Sequence, residues 1–357
     1  MVKKFVYGTP FETEAVVKKI PSSEGNPDYG TFSTENGFSF TTKLADDDMV
    51  FGLGEANRGI NKRGFLYISD CADDPNHVES KTSLYAAHNF IIISGKTHVG
   101  FFFDYPGTLR FDIGYTTSDT MTVSCENADL YVYMITGDSD LDIVKQFRGI
   151  IGRSYIAPKF AFGYGQSRWG YKTEDDFRTV VKKYRENHVP LDMVYMDIDY
   201  MQDYKDFTVN EERFPDFEGF VQDMKKEKIH LVPIIDAGVK VEEGYDIYEE
   251  GCEKGYFCRR EDGSYFEATV WPGWTHFPDV LNADARKWFG DKYDVLVSKG
   301  IDAFWNDMNE PSIFYSQEGL ADFKETAKKY VEGDPEVPQS FRHWQTTMRT
   351  INASITT

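Results

Sequence analysis

Carboxyl, amide and aromatic side chains are concentrated in one short stretch, residues 301–311, with the sequence Ile-Asp-Ala-Phe-Trp-Asn-Asp-Met-Asn-Glu-Pro. Its first half alternates apolar and other residues, which predicts a short buried strand, and Pro311 prevents regular structure from continuing. Asp307 and Glu310 therefore fall at the carboxyl end of that strand. In a parallel barrel this end is where side chains meet a substrate. An acid at a strand end also commonly caps the next helix, so Asp307 alone leaves both interpretations open.

Two earlier predicted strands end in the same way. Asp192 to Met196 leads into Asp197-Ile198-Asp199-Tyr200-Met201, and Ile229 to Ile235 leads into Asp236. A further strand, Phe160 to Gln166, precedes a polar loop that contains Trp169. Helices are expected between the strands, beginning at Thr173 and spanning 217–226 and 283–299. Strands that alternate with helices favour half of a barrel, with a doubly wound sheet as the alternative.

The first part of the chain has a different pattern, with short β-rich runs separated by turn residues. This spacing predicts an antiparallel β-sandwich over residues 1–150, closed by a connecting helix over 140–152. The predicted strands are 38–42, 49–53, 65–68, 89–93, 98–103, 109–113, 120–124 and 130–135.

Seven consecutive residues, Trp305 to Pro311, resemble the nucleophile signature of glycoside hydrolase family 31, the family of α-glucosidases and α-xylosidases. Gly52-Leu53-Gly54-Glu55 resembles the N-terminal-domain signature of that family, and residues 197–201 resemble its Asp-Ile-Asp-Tyr-Met pattern. The resemblance implies a mutarotase-like β-sandwich followed, over 151–357, by the first half of a (β/α)8 TIM barrel that is cut after its fourth strand.

The resemblance also implies roles for individual side chains. Asp307 is expected to be the catalytic nucleophile, Asp197 to hold sugar hydroxyls, and Asp73 to reach the sugar pocket from its loop. Turn chemistry alone explains Asp73, an ion pair would explain Asp236, and core packing would explain Trp169 and Trp305. The further expected substrate-binding residues are Trp169, Ile198, Ile235, Asp236, Trp271, Trp305 and Met308.

The implied activity is that of a retaining α-glucosidase acting on α-linked oligosaccharides, with an α-xylosidase or an inactive sugar-binding remnant as alternatives. The acid/base Asp of the family lies downstream of the nucleophile, where this chain has no clear match. Codons permitted for residues 346–357, read in a shifted frame, spell Asn-Asp-Ala-Asp-Tyr-Lys-Arg-Phe-Tyr-His-Asn, which resembles the usual continuation of the family. We therefore expect a frameshifted or truncated product with impaired activity.

The overall composition limits the partners. The net charge of −20 opposes binding to nucleic acid or to anionic membranes, and no apolar run is long enough to span a bilayer. Lys3 and Lys4 lead into a sequence unlike a signal peptide, so we expect a cytoplasmic protein, whose complete parent could be a homo-oligomer. The four cysteines lack metal-ligand spacing, and we expect no metal and no cofactor.

Overall fold

The computed structural model describes residues 1–71 and 74–332. The chain divides into two compact units, Met1–Ala157 and a second that begins at Pro158.

The first unit is an antiparallel β-sandwich, as predicted. One sheet has the order β1-β10-β7-β6-β4 and the other the order β2-β3-β9-β8-β5. Aromatic side chains such as Phe40, Phe101 and Phe111 are fully buried in its core. The strands are β1 (Val2–Tyr7), β2 (Thr31–Ser33), β3 (Phe38–Lys43), β4 (Met49–Gly52), β5 (Phe65–Ser69), β6 (Phe90–Ser94), β7 (His98–Asp104), β8 (Leu109–Ile113), β9 (Thr120–Cys125) and β10 (Leu130–Gly137).

The predicted connecting helix is present as α1 (Asp140–Ile151). The Ser139 side chain accepts a hydrogen bond from the Asp142 N–H, which caps the first turn. Ile143 and Ile150 are buried in a small cluster with Tyr133 and Ile135 of β10. The apolar face of α1 therefore covers the outer surface of one sheet.

The second unit contains a parallel sheet of four strands, β11 (Gly165–Gln166), β12 (Met193–Met196), β13 (His230–Asp236) and β17 (Trp305–Asp307), in that spatial order. The helices α2 (Glu174–Glu186) and α3 (Phe217–Lys226) connect the first three of these strands. Thr173 and Asp176 form a reciprocal capping box at the start of α2. This arrangement is the first half of a (β/α)8 barrel, as predicted.

Three element boundaries were predicted wrongly. Residues 159–162 form a 3-10 turn, so the first barrel strand is only two residues long. The fourth strand begins at Trp305 and not at Ile301, because only its last three residues pair with β13. The helix expected over 283–299 is divided into α5 (Ala283–Lys292) and α6 (Asp294–Val297).

The long segment between β13 and α5 contributes the strands β14 (Val239–Lys240), β15 (Glu267–Val270) and β16 (Gly273–His276) to a second, smaller sheet. Its fourth strand is β18 (Tyr315–Ser316), which follows β17, and the sheet order is β14-β16-β15-β18. The Asp262-Gly263 turn lies between β14 and β15, and Gly263 has a φ of +84°, the left-handed conformation that glycine adopts without strain. The helices α4 (Asp246–Lys254) and α7 (Gln317–Glu332) follow β14 and β18, respectively.

Candidate active site

Three carboxylates lie at the carboxyl ends of three adjacent parallel strands. Asp197 directly follows β12, Asp236 is the last residue of β13, and Asp307 is the last residue of β17. Asp236 and Asp307 are direct register partners, so their backbones lie side by side. The sequence placed each of these acids at a strand end, and the sheet order brings them together.

Strand alternation directs the three acids to one face of the sheet. Side chains two residues apart share a face, so Tyr195 accompanies Asp197 and Trp305 accompanies Asp307. The rings of Tyr195 and Trp305 meet edge to face, with their centroids 6.0 Å apart. Below the acids this face is therefore aromatic. Tyr195 was not identified from the sequence.

The buried acid Asp236 is in an unfavourable environment for a negative charge. Its side chain is 3% exposed, and neither carboxylate oxygen has a hydrogen-bond partner among the described residues. Burial, followed by the negative charges of Asp307 and Asp197, raises the pKa of Asp236 to about 7. Asp236 therefore keeps its proton to a much higher pH than an exposed carboxyl group does, which limits the negative charge beside Asp307.

Asp197 and Asp199 have different surroundings although they are only two residues apart. Asp197 caps the 3-10 turn Ile198–Tyr200, and its Oδ1 accepts the Ile198 N–H at 2.8 Å. Burial and the nearby charges of Asp307 and Asp199 raise the pKa of Asp197, and the Ile198 N–H opposes that shift. The Asp199 carboxylate lies 3.6 Å from Arg213 Nη1. Asp197 is therefore the member of the pair that belongs to the acidic cluster.

Exposed aromatic rings form a second feature of the unit. The Trp169 and Trp271 centroids are 6.2 Å apart, and Phe314 meets Trp271 edge to face at 5.1 Å. These three side chains remain 62%, 42% and 51% exposed, respectively. Exposed aromatic faces of this kind suit the apolar faces of sugar rings. Phe314 was not identified from the sequence, because it lies in a short segment without regular alternation.

The apolar side chains expected at the site are buried. Ile198 and Ile235 belong to the main core of the second unit. Met308 packs with Ala268 and Val270 of the small sheet. Its φ of +59° is unusual for a residue other than glycine. The backbone immediately after Asp307 is therefore held in a strained conformation, which is a common property of functional sites.

An open cleft of about 390 Å³ borders the acidic cluster, and its lining includes Asp236, Asp307 and Tyr293. Asn306 also lines this cleft, is exposed, and accepts a 2.7 Å hydrogen bond from the Tyr293 hydroxyl. Glu310 Oε2 is buried without a hydrogen-bond partner among the described residues.

Some expectations fall outside what the structure describes. Asp73 and the tail over 333–357 lie outside the described residues. Within the described part of the chain, no cluster of His, Cys, Asp and Glu has the arrangement of a metal site. The same residues include no helix with the length and apolar character needed to cross a bilayer. All four cysteines are free thiols.

Two family models match the chain. The glycosyl hydrolases family 31 TIM-barrel domain matches residues 154–351, which is more than half of the chain. The glycosyl hydrolase 31 N-terminal galactose mutarotase-like domain matches residues 10–112.

Related proteins carry consistent names. The chain is 37% identical over 277 residues to alpha-glucosidase 2 of Bacillus thermoamyloliquefaciens, a match that covers 76% of this chain and 35% of that protein. It is 28% identical over 318 residues to an alpha-glucosidase of Saccharolobus solfataricus, covering 88% and 46%. A family 31 alpha-glucosidase structure from Bacteroides thetaiotaomicron matches with a TM-score of 0.72 and 26% identity, covering 80% and 49%. The chain thus spans between about a third and a half of these relatives.

Proposed function

Because the chain belongs to glycoside hydrolase family 31, we propose that it carries the nucleophile and part of the sugar pocket of a retaining α-glucosidase. The observation that carries this proposal is the position of Asp307, at the carboxyl end of β17 and in register with Asp236. Relatives named alpha-glucosidase support glucose as the transferred sugar. The substrate class is an oligosaccharide with an α-linked terminal glucose.

The proposed reaction has two displacement steps. In the first, a carboxylate oxygen of Asp307 attacks the anomeric carbon while the bond from that carbon to the leaving oxygen breaks. The leaving oxygen takes a proton from a general acid. In the second step, water displaces Asp307 from the sugar and gives its proton to the conjugate base of the general acid, which restores both the Asp307 carboxylate and the acid. Two successive inversions retain the configuration at the anomeric carbon.

The other side chains of the site bind the sugar in this proposal. Asp197 is placed on the same face as Asp307 and accepts hydrogen bonds from sugar hydroxyls, with Trp271 as an aromatic wall. Asp236, with its pKa of about 7, stays partly neutral and avoids a third full negative charge in the cluster. The acid/base of the family lies downstream of the nucleophile. A side chain that protonates the leaving oxygen contributes roughly two to four powers of ten to such a reaction, so substrates with poor leaving groups depend most strongly on that acid.

Turnover of aryl glycosides tests the proposal, because a nitrophenolate leaves with little help from an acid. We expect slow release of nitrophenol from 4-nitrophenyl α-glucoside, and less from the matching α-xyloside. Asp307→Asn should reduce the rate to the uncatalysed background. The matched control is Asp302→Asn, since Asp302 lies in the same stretch but pairs with His230 at 3.0 Å, away from the acidic cluster. Equal rates for Asp307→Asn and the unmodified chain would exclude Asp307 as the nucleophile.

A further inference from the structure

One acid in the second unit is completely enclosed but belongs to no ion pair. Asp206 lies in the loop between the 3-10 turn Ile198–Tyr200 and α3, and its side chain is 1% exposed. Among the described residues, no lysine, arginine or histidine forms a salt bridge with it. Buried carboxylates are normally paired, because the loss of hydration costs several kcal/mol per ion. The enclosed position of Asp206 therefore requires another explanation.

The contacts of Asp206 lead directly to the acidic cluster. Its Oδ1 accepts the backbone N–H of Asp236 at 3.0 Å. Its own carbonyl oxygen accepts the Tyr245 hydroxyl at 2.8 Å. Asp236 is in turn the register partner of Asp307. A single hydrogen bond thus connects Asp206 to the end of β13. This strand pairs with β17, which ends in the proposed nucleophile Asp307.

The loop that carries Asp206 is strained. Asp203, Tyr204 and Phe207 have φ values of +53°, +59° and +61°, although none is glycine. Such conformations cost of order 1–3 kcal/mol each and persist only where the surrounding structure imposes them. The Phe207 ring is anchored between Phe289 and Tyr293, with centroids 5.1 and 5.2 Å away. The anchored ring holds the chain so that Asp206 enters the core.

The groups around Asp206 favour its neutral form. The titratable side chains that act on it, or on which it acts, are three tyrosines and one acid: Tyr200, Tyr245, Tyr293 and Asp236. Burial, followed by the negative charge of Asp236, raises the pKa of Asp206 well above its usual range, and the Asp236 N–H only partly opposes this. Asp206 Oδ2 has no hydrogen-bond partner in the described structure. Since Oδ1 is engaged as an acceptor, a proton on Asp206 would lie on Oδ2.

We propose that Asp206 is a positioning residue, whose carboxyl is held neutral in the core and fixes the end of β13 beside the strand of Asp307. Oδ1 accepts the Asp236 N–H, while the protonated Oδ2 avoids a further negative charge under the cluster. The consequence for Asp307 rests on the function proposed above. The protonation of Asp206 and its contact with Asp236 do not depend on that function.

Infrared spectroscopy tests the protonation directly. A protonated carboxylic acid has a carbonyl band that is separate from the carboxylate bands and that shifts when the aspartates are labelled with carbon-13. The comparison uses Asp236→Asn as background, so that Asp236 itself does not contribute. At pH 8 we expect the band in Asp236→Asn and its loss in the double variant with Asp206→Asn. If the Asp236→Asn variant lacks the band, or if the double variant keeps it, the proposal is overturned.

Hydrogen exchange tests the positioning role. An asparagine side chain mimics a neutral carboxyl group, since its oxygen accepts and its NH2 group donates. Asp206→Asn should therefore keep the Asp236 amide protected and should not lower the unfolding midpoint. Asp206→Ala should speed exchange of that amide roughly 5- to 150-fold, as expected for loss of a buried partner worth about 1–3 kcal/mol. If Asp206→Ala does not fold, the comparison of Asp206→Asn with the unmodified chain still tests whether a neutral side chain at this position keeps the Asp236 amide protected.

Two outcomes separate this inference from the proposed function. If Asp206→Asn exposes the Asp236 amide or lowers the unfolding midpoint by several degrees, an ionised Asp206 is required and the positioning inference is wrong. If the infrared and exchange results are as expected but no glycoside is turned over, the inference about Asp206 is supported and the proposed function is contradicted. Neither experiment needs a substrate.

Discussion

Substitution of Asp236 by asparagine should make the stability of the second unit less dependent on pH. Asp236 has an unperturbed pKa of 3.8, which burial and neighbouring charges raise to about 7 in the folded state. Between these values the folded state binds a proton that the unfolded state has released. The contribution of Asp236 to the free energy of unfolding therefore falls as pH rises from about 4 to about 7, and it levels off above that.

The difference between 3.8 and about 7 corresponds to roughly 4 kcal/mol for one group, of which roughly 3 kcal/mol falls between pH 5 and pH 8. The Asp236→Asn side chain cannot ionise, so this contribution should be absent. The free energy of unfolding of the variant, measured relative to that of the unmodified chain, should therefore increase by roughly 3 kcal/mol as pH rises from 5 to 8. Asp197 and Asp206 also have raised pKa values, so a weaker decline in the same direction should remain in the variant.

Urea unfolding followed by tryptophan fluorescence measures this effect in the appropriate unit, because all six tryptophans lie after residue 158. The control is Asp223→Asn at the protein surface. Bonds from Lys226 and Arg178 lower the pKa of Asp223, so its contribution is fully present above pH 3.8 and is lost only in stronger acid. This control should therefore parallel the unmodified chain from pH 5 to pH 8. If Asp236→Asn also parallels the unmodified chain, our account of the acidic cluster is wrong.

Three further predictions concern the surroundings of the cluster. Tyr200→Phe should lower the free energy of unfolding by about 1 kcal/mol, since the buried Tyr200 hydroxyl donates to the Ile234 carbonyl at 2.8 Å; an unchanged urea midpoint would contradict this. Arg213→Met should lower the free energy of unfolding by roughly 1–3 kcal/mol, because Arg213 donates to the backbone oxygen of Asp199 at 2.7 Å and neutralises the buried Asp199 carboxylate. Lys172 Nζ lies 3.9 Å from that carboxylate, so Lys172→Met should lower the free energy of unfolding less, as urea unfolding would measure. Trp271→Ala should weaken binding of an α-glucoside by about threefold to tenfold in a calorimetric titration, and equal affinity would exclude a sugar contact.

The sequence predicted the sandwich well where strands alternate cleanly, as in Phe38–Lys43. It missed β1, because Lys3 and Lys4 interrupt the apolar pattern of this strand, which lies at the edge of its sheet beside β10. The strand expected over residues 160–166 was too long for a related reason. Phe162 and Tyr164 are 76% and 53% exposed, so their apolar character did not indicate burial in a sheet.

The acids at the strand ends could be predicted from the sequence because they follow buried strands directly. Asp206 could not, because the polar run Gln202-Asp203-Tyr204-Lys205 before it is typical of a surface loop. The positive φ values that bring the loop into the core belong to residues that rarely adopt them.

The most direct test of the central claim is covalent trapping with 5-fluoro-α-glucosyl fluoride. Fluoride leaves without protonation, so the first displacement does not need the general acid. If Asp307 is the nucleophile, mass spectrometry of a digest should find one fluoroglucosyl group on the peptide that contains Asp307, and none in Asp307→Asn. A label on another carboxylate, or an unlabelled chain whose folding is confirmed by tryptophan fluorescence, would contradict the account.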